Sequence, residues 1–228
     1  MAPRVTVLQL DTDFPRVPGD VGCAETYTGP VDIVRIPGAT VGHVVSARPD
    51  LIDIAPFEQA VRAARGDVIA TSCGFLSYWQ DHLAALTPKP FVSSALIALG
   101  RLRRVPGEVL ILTFDADRLA PIHLGGHADH ARGVVGLPAS LHLRQVIEQN
   151  QTSLDTAQAE TELVALLEAT QNNSHRHLLL ECTNLPPYKA VLHAVSGLPI
   201  SDILTEIEHA FPGAVRDPFL VGGKGRKR

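Results

Sequence analysis

Short runs of β-branched and aliphatic residues alternate along this chain with segments whose apolar positions recur every three or four residues. The runs predict strands at residues 5–10, 31–36, 68–72, 91–93, 109–114, 133–137, 177–181 and 199–200. The helical spacing predicts helices at 57–65, 76–86, 95–103, 156–169, 188–195 and 202–209. Stretches such as Val109-Leu110-Ile111-Leu112 and Leu178-Leu179-Leu180 carry no polar face. A strand of that kind is covered on both sides, as in a parallel sheet flanked by helices. The pattern therefore predicts an α/β fold.

The landmarks repeat in order. A strand followed by Asp-x-Asp opens each half, at Asp11-Thr12-Asp13 and at Asp115-Ala116-Asp117, and Ile36-Pro37 and Leu137-Pro138 each close the next strand. Thr71-Ser72-Cys73-Gly74 then corresponds to Leu180-Glu181-Cys182-Thr183, and a proline stands 17 residues after each cysteine, at Pro90 and Pro199. Such a repeat predicts two similar parallel-sheet α/β domains, residues 1–104 and 105–220, related by a pseudo-twofold axis. The last helix is expected to return to the first domain, and the Gly-rich basic tail at 221–228 to stay disordered. Ligands of parallel sheets bind beyond the carboxyl ends of the strands, which puts Cys73 and Cys182 at one shared cleft between the domains.

Composition narrows the function. With 45% hydrophobic residues in 228, the chain can bury a full core. Its 24 acidic against 20 basic residues give a net charge of −4, the wrong sign for holding nucleic acid. No apolar run approaches the ~20 residues of a membrane span, and Asp11 interrupts the first strand run, so a cytoplasmic protein without a secretory leader is expected. Three cysteines cannot all pair within the chain, which leaves free thiols for packing or chemistry. His123, His127 and His130 would share one helical face, but Gly125 and Gly126 interrupt it and no metal site is expected. Cys23 has no counterpart in the second half and is read as structural.

Both remaining cysteines precede a predicted helix, where unpaired N–H groups favour a thiolate. Gly74 admits a ligand close to the backbone, and Pro186 and Pro187 suit a first helical turn. Two bases on opposite faces of a carbon can remove a proton from one side and return it from the other, which inverts the centre.

The segments Leu10-Asp11-Thr12-Asp13-Phe14-Pro15-Arg16-Val17-Pro18-Gly19-Asp20, Thr71-Ser72-Cys73-Gly74-Phe75-Leu76, Ser93-Ser94 and Glu181-Cys182-Thr183-Asn184-Leu185-Pro186-Pro187-Tyr188 resemble the aspartate/glutamate racemase superfamily. That group also includes hydantoin racemases, arylmalonate decarboxylases and maleate isomerases. The resemblance covers nearly the whole chain. It implies two α/β domains with the site between them, no pyridoxal phosphate, metal or other cofactor, and a small carboxylate substrate. It assigns the two catalytic thiols to Cys73 and Cys182. Candidate substrate-binding residues are Asp11, Thr12, Ser72, Gly74, Phe75, Ser93, Ser94, Thr183 and Asn184. The chain reads Cys73-Gly74-Phe75 where glutamate racemases have Cys-Asn-Thr, and Cys182-Thr183-Asn184 where they have Cys-Thr-His.

The resulting expectation is a cofactor-independent racemase of an amino acid or related carboxylate, in which the two thiols divide proton transfer by face. Hydantoin racemisation, maleate-type isomerisation and arylmalonate-type decarboxylation stay open on the same residues, as does homo-oligomerisation. The non-enzyme alternative is a bilobed protein that binds a small anion.

Overall fold

The computed structural model describes residues 2–102 and 104–222. The tail from residue 223 onward, where disorder was expected, lies outside the described residues, as does residue 103, the expected end of the third helix.

Among the described residues eight strands form two four-stranded parallel sheets of the same topology. The first, in the order β2-β1-β3-β4, comprises β1 (Val5–Gln9), β2 (Val31–Arg35), β3 (Val68–Thr71) and β4 (Phe91–Val92). The second repeats that order as β6-β5-β7-β8, with β5 (Val109–Thr113), β6 (Val134–Gly136), β7 (His177–Leu180) and β8 (Ile200–Asp202). Every residue of β3, β5 and β7 is buried, which matches their unbroken apolar character. The helices are α1 (Val41–Val44), α2 (Ala55–Ala63), α3 (Gln80–Ala84), α4 (Leu99–Leu102), α5 (His142–Glu148), α6 (Thr156–Thr170), α7 (Lys189–Ser196) and α8 (Ile203–Ala210).

Two apolar clusters hold the halves together. One runs from Leu8 and Ile69 through Phe75 and Phe114 to Leu110 and Leu179, so it belongs to both sheets. In the other, α8 leaves the second sheet and buries Ile203, Leu204 and Ile207 against Val5, Val7, Val68 and Val92 of the first. Each such side chain contributes about 1.5–3 kcal/mol on burial. The turn into α8 is fixed by a capping box: Thr205 N donates to Asp202 Oδ1 and Asp202 N to Thr205 Oγ1, both at 2.8 Å. Asp202 also pairs with the fully buried Lys189 at 2.6 Å.

The helices expected after the two cysteines begin as 3₁₀ turns, at Gly74–Trp79 and Pro186–Tyr188. In the first, tertiary anchors override the α-helical spacing: Phe75 packs edge-on against His123, Ser77 Oγ donates to the His123 carbonyl, and the Trp79 indole donates to Pro49 O. The segment Pro121–Gly133 is also 3₁₀, and it breaks at Gly125 (φ 53°, ψ −130°) and at His127. His123, His127 and His130 therefore do not share a helical face. Among the described residues no helix is long and apolar enough to cross a membrane.

Candidate active site

β3 and β7 occupy the same place in their sheets, and the chain leaving each ends in a buried cysteine. Cys73 and Cys182 line one cavity between the halves, together with Ser72, Gly74, Phe75, Thr183 and Asn184. The cavity, about 30 Å³, is water-sized. Leu10, Phe14, Val41, Val45, Phe114 and Ile147 make its apolar walls, and Arg16 and Glu181 are its two ionisable side chains besides the thiols.

A loop from the first half closes one side. Gly19, at φ +97°, lies so close to Pro187 that a Cβ would stand 2.9 Å from the proline Cα, so glycine is required there. This approach seats Asp20 against the second half, where it accepts from Asn184 Nδ2 at 2.6 Å. Asp20 also accepts from Arg16 Nη1 at 3.2 Å and Gly22 N at 2.7 Å, and Arg16 Nη2 donates to Thr12 Oγ1 at 3.2 Å. Arg16 is thus held almost wholly buried, yet its Nε has no hydrogen-bond partner. A second tie crosses the cleft from Thr183 Oγ1 to the Ser72 carbonyl at 2.7 Å.

The thiols differ in electrostatics. Burial, reinforced by the negative charge of Glu181, pushes Cys73 up to about 12, while the Phe75 N–H and the Arg16 guanidinium oppose the rise. Burial and Glu181 raise Cys182 as well, the Asn184 N–H opposes the rise, and Cys73 and Asp20 add to it. The Cys182 S–H points to Asn184 Oδ1 at 3.8 Å, which holds it as a thiol. Glu181 is raised to about 7 by burial, although Thr113 Oγ1 donates to its Oε2 at 2.6 Å. Its Oε1 is buried without a partner.

Several expected site residues lie elsewhere. Asp11 is bound on the outside by Arg35 and accepts from Gly38 N at 2.9 Å, so it closes a turn. Thr12 reaches the site only through Arg16. Ser93 Oγ donates to Gln80 Oε1 at 2.7 Å, and Ser94 caps the following 3₁₀ turn through Leu96 N. Their hydroxyls satisfy local backbone and side-chain groups. Cys23 sits apart, beside Glu25. Conversely, Arg16, Asp20 and Glu181 were not among the expected site residues. The signal for Glu181 was a carboxyl ending an otherwise apolar strand run.

No protein-family model matches the chain. Among solved structures it resembles allantoin racemase from Pseudomonas fluorescens, with a TM-score of 0.57 at 16% identity over 89% of this chain and 86% of that one. Glutamate racemase from Campylobacter jejuni gives 0.51 at 15% identity, covering 94% and 88%. An unliganded arylmalonate decarboxylase gives 0.52 at 15%, covering 87% and 86%. The chain shares its fold with these three enzymes.

The curated relatives point to different chemistry. A dimethylsulfoniopropionate lyase of Durusdinium sp. clade D is 27% identical over 226 residues, which is 93% of this chain and 75% of that protein. Dimethylsulfoniopropionate lyase 3 of Emiliania huxleyi (strain CCMP1516) is 28% identical over 227 residues, 89% of this chain and 57% of its own length. Lyase 5 of the same organism is 26% identical over 95% of this chain, which spans 46% of it. This chain therefore matches about half the length of the Emiliania proteins. These names overturn the expectation of a racemase: the relatives are lyases, not isomerases.

Proposed function

We propose that this chain is a lyase that cleaves dimethylsulfoniopropionate or a closely similar carboxylate bearing a leaving group on its β-carbon. The observation that carries the reading is the meeting of Cys73 and Arg16 on one cavity, a candidate base and a buried guanidinium with an unpaired Nε. A carboxylate on Arg16 satisfies that orphan donor through a charge-assisted hydrogen bond. It also brings the adjacent α-carbon toward the thiol whose ionisation Arg16 favours.

Elimination needs one base, not two. The Cys73 thiolate takes the α-proton, and the C–H electron pair becomes the Cα–Cβ double bond. The Cβ–S bond breaks with its pair staying on sulfur. The products are acrylate and neutral dimethyl sulfide, and the thiol returns its proton to water. Cys182, hydrogen-bonded as a donor to Asn184, stays protonated and takes no part in the proton transfer. On this reading the halves part to admit substrate to the water-sized space and close again to exclude solvent, which strengthens every charge interaction inside.

The test is direct. Purified protein given dimethylsulfoniopropionate should release dimethyl sulfide, read by gas chromatography of the headspace, with equimolar acrylate by proton NMR. Folded protein that releases neither at millimolar substrate removes the reading.

A further inference from the structure

Among the groups on the cavity, Glu181 is the one for which the elimination just described has no use. It is 1% exposed, with Oε2 held by Thr113 Oγ1 and Oε1 buried without any partner. A buried carboxylate oxygen left unpaired costs several kcal/mol unless a ligand completes it. Room for it is built in. A Cβ on Gly74 would collide with Oε1 and stand 2.7 Å from the Glu181 carbonyl, so the first half gives up a side chain to make space. Arg16 and Glu181 then form a pair of opposite orphans on one cavity, a donor with a positive charge and an acceptor able to carry a negative one.

We infer that Glu181 is the specificity-determining counter-ion for a positively charged leaving group, so that the site is built for a zwitterion with its carboxylate on Arg16 and its cation against Glu181. The inference rests on the reading above for the identity of the reaction, but not for the identity of the charges. It also explains how a thiol held as high as about 12 can work: Glu181 is a main cause of that rise after burial, and a cation against Glu181 cancels it. The sulfonium thereby helps ionise the base that attacks its own carbon chain. A neutral thioether acid lacks this effect and leaves Glu181 unpaired.

The test uses two non-reacting ligands of equal shape, 3-(trimethylammonio)propanoate and its uncharged carbon isostere 4,4-dimethylpentanoate, with dissociation constants measured by calorimetry. The wild type should prefer the cation by about tenfold or more, equivalent to about 1.4 kcal/mol. Glu181→Gln, nearly isosteric, should abolish the preference while shifting affinity for the neutral ligand less than about twofold. The wild type alone gives a second measurement. The preference should grow as pH rises through about 7, where Glu181 ionises. The other groups near Glu181 are the Thr113 hydroxyl and the Phe114 N–H, which favour its carboxylate, the thiols of Cys73 and Cys182, and beyond them Arg16 and Asp20. The thiols are raised far above this range. A preference that is absent in the wild type, unchanged in Glu181→Gln or flat with pH overturns the inference. A clear preference without any dimethyl sulfide release overturns only the reaction assigned above.

Discussion

Ser72 and Glu181 hold the same place in two halves of like topology, each one residue before a buried cysteine, and they do opposite things. The first loop settles its polar groups within its own half. Ser72 Oγ accepts from Leu10 N at 3.0 Å, and Thr71 Oγ1 donates to the Ser93 carbonyl at 2.6 Å. The second loop sends its polar side chains across the cleft, Thr183 to the Ser72 carbonyl and Asn184 to Asp20, and keeps one carboxylate oxygen unpaired. The next position is swapped in size as well: Gly74 stands where the second half has Thr183, and the vacated space holds Glu181. A repeated scaffold thus presents two equivalent thiols in unequal fields. Each thiol meets one backbone N–H that favours its thiolate, from Phe75 or from Asn184, so the difference lies in the charges: Arg16 favours the Cys73 thiolate, whereas Asp20 disfavours that of Cys182, whose S–H also points to Asn184 Oδ1. Inversion of a stereocentre uses two matched bases, while elimination uses one.

The largest effect expected from that asymmetry is on turnover. Cys73→Ser should lower dimethyl sulfide release by about 10²–10⁴-fold, the usual contribution of a positioned base. Cys182→Ser keeps a hydroxyl to donate to Asn184 and should stay within about tenfold of wild type. Rates from both variants at matched folded concentration check this, and the reverse order would move the base to the second loop. Next in size is Arg16→Leu. Loss of a charge-assisted bond to the substrate carboxylate, about 1.5–3 kcal/mol, should lower kcat/KM by roughly 10–150-fold. Because Arg16 is the positive charge that sets the two thiols apart, the variant should also slow alkylation of Cys73 relative to Cys182, read by mass spectrometry.

A smaller effect, on stability, tests the size swap. Gly74→Ala drives a methyl into Glu181, and overpacking of this kind costs about 1–3 kcal/mol. Truncation at Glu181→Ala in the same chain should recover only part of the loss, because the Glu181 carbonyl, 2.7 Å from the new Cβ, remains. Full additivity in a urea-unfolding double-mutant cycle would mean that the two positions are not coupled.

The sequence made the frame legible because fully covered parallel strands are continuous apolar runs, and all eight appear near their expected places. Both cysteines and the residues beside them were legible for a related reason, since strand ends in such sheets converge on the cleft. The seven expected residues on the cavity are the two cysteines and residues within two positions of one of them. Asp11, Ser93 and Ser94 sit at strand ends too, but their side chains are consumed by a turn, by Gln80 and by a cap. Strand position alone does not reveal which way a short polar side chain turns. Arg16 was hidden for the opposite reason. Its loop reaches the site only through the close approach of Gly19 to Pro187, a tertiary contact with no local signature. The reaction was illegible because racemisation and elimination begin with the same proton abstraction, and the residues that take that first step do not distinguish them.

A further effect, confined to high pH, separates the unpaired carboxyl from every other feature of the two loops. Glu181 is raised from an ordinary 4.5 to about 7 by burial, so the folded state holds its proton over a range where the unfolded chain has lost it. Stability linked to this group is fully present below pH 4.5 and is lost as pH rises through about 7. At about 1.36 kcal/mol per unit, the loss above pH 8 is on the order of 3 kcal/mol. Glu181→Gln cannot ionise. It should leave urea stability nearly unchanged at pH 4.5 and raise it at pH 8, even as it impairs cleavage of a cationic substrate. Glu206 provides the control, since burial raises it to about 7 too, but it is paired with Arg101. Its Gln variant loses that ion pair and should gain less at pH 8 than Glu181→Gln. Equal gains at the two sites would mean that Glu181 is an ordinary buried acid, with no unmet charge held for a ligand.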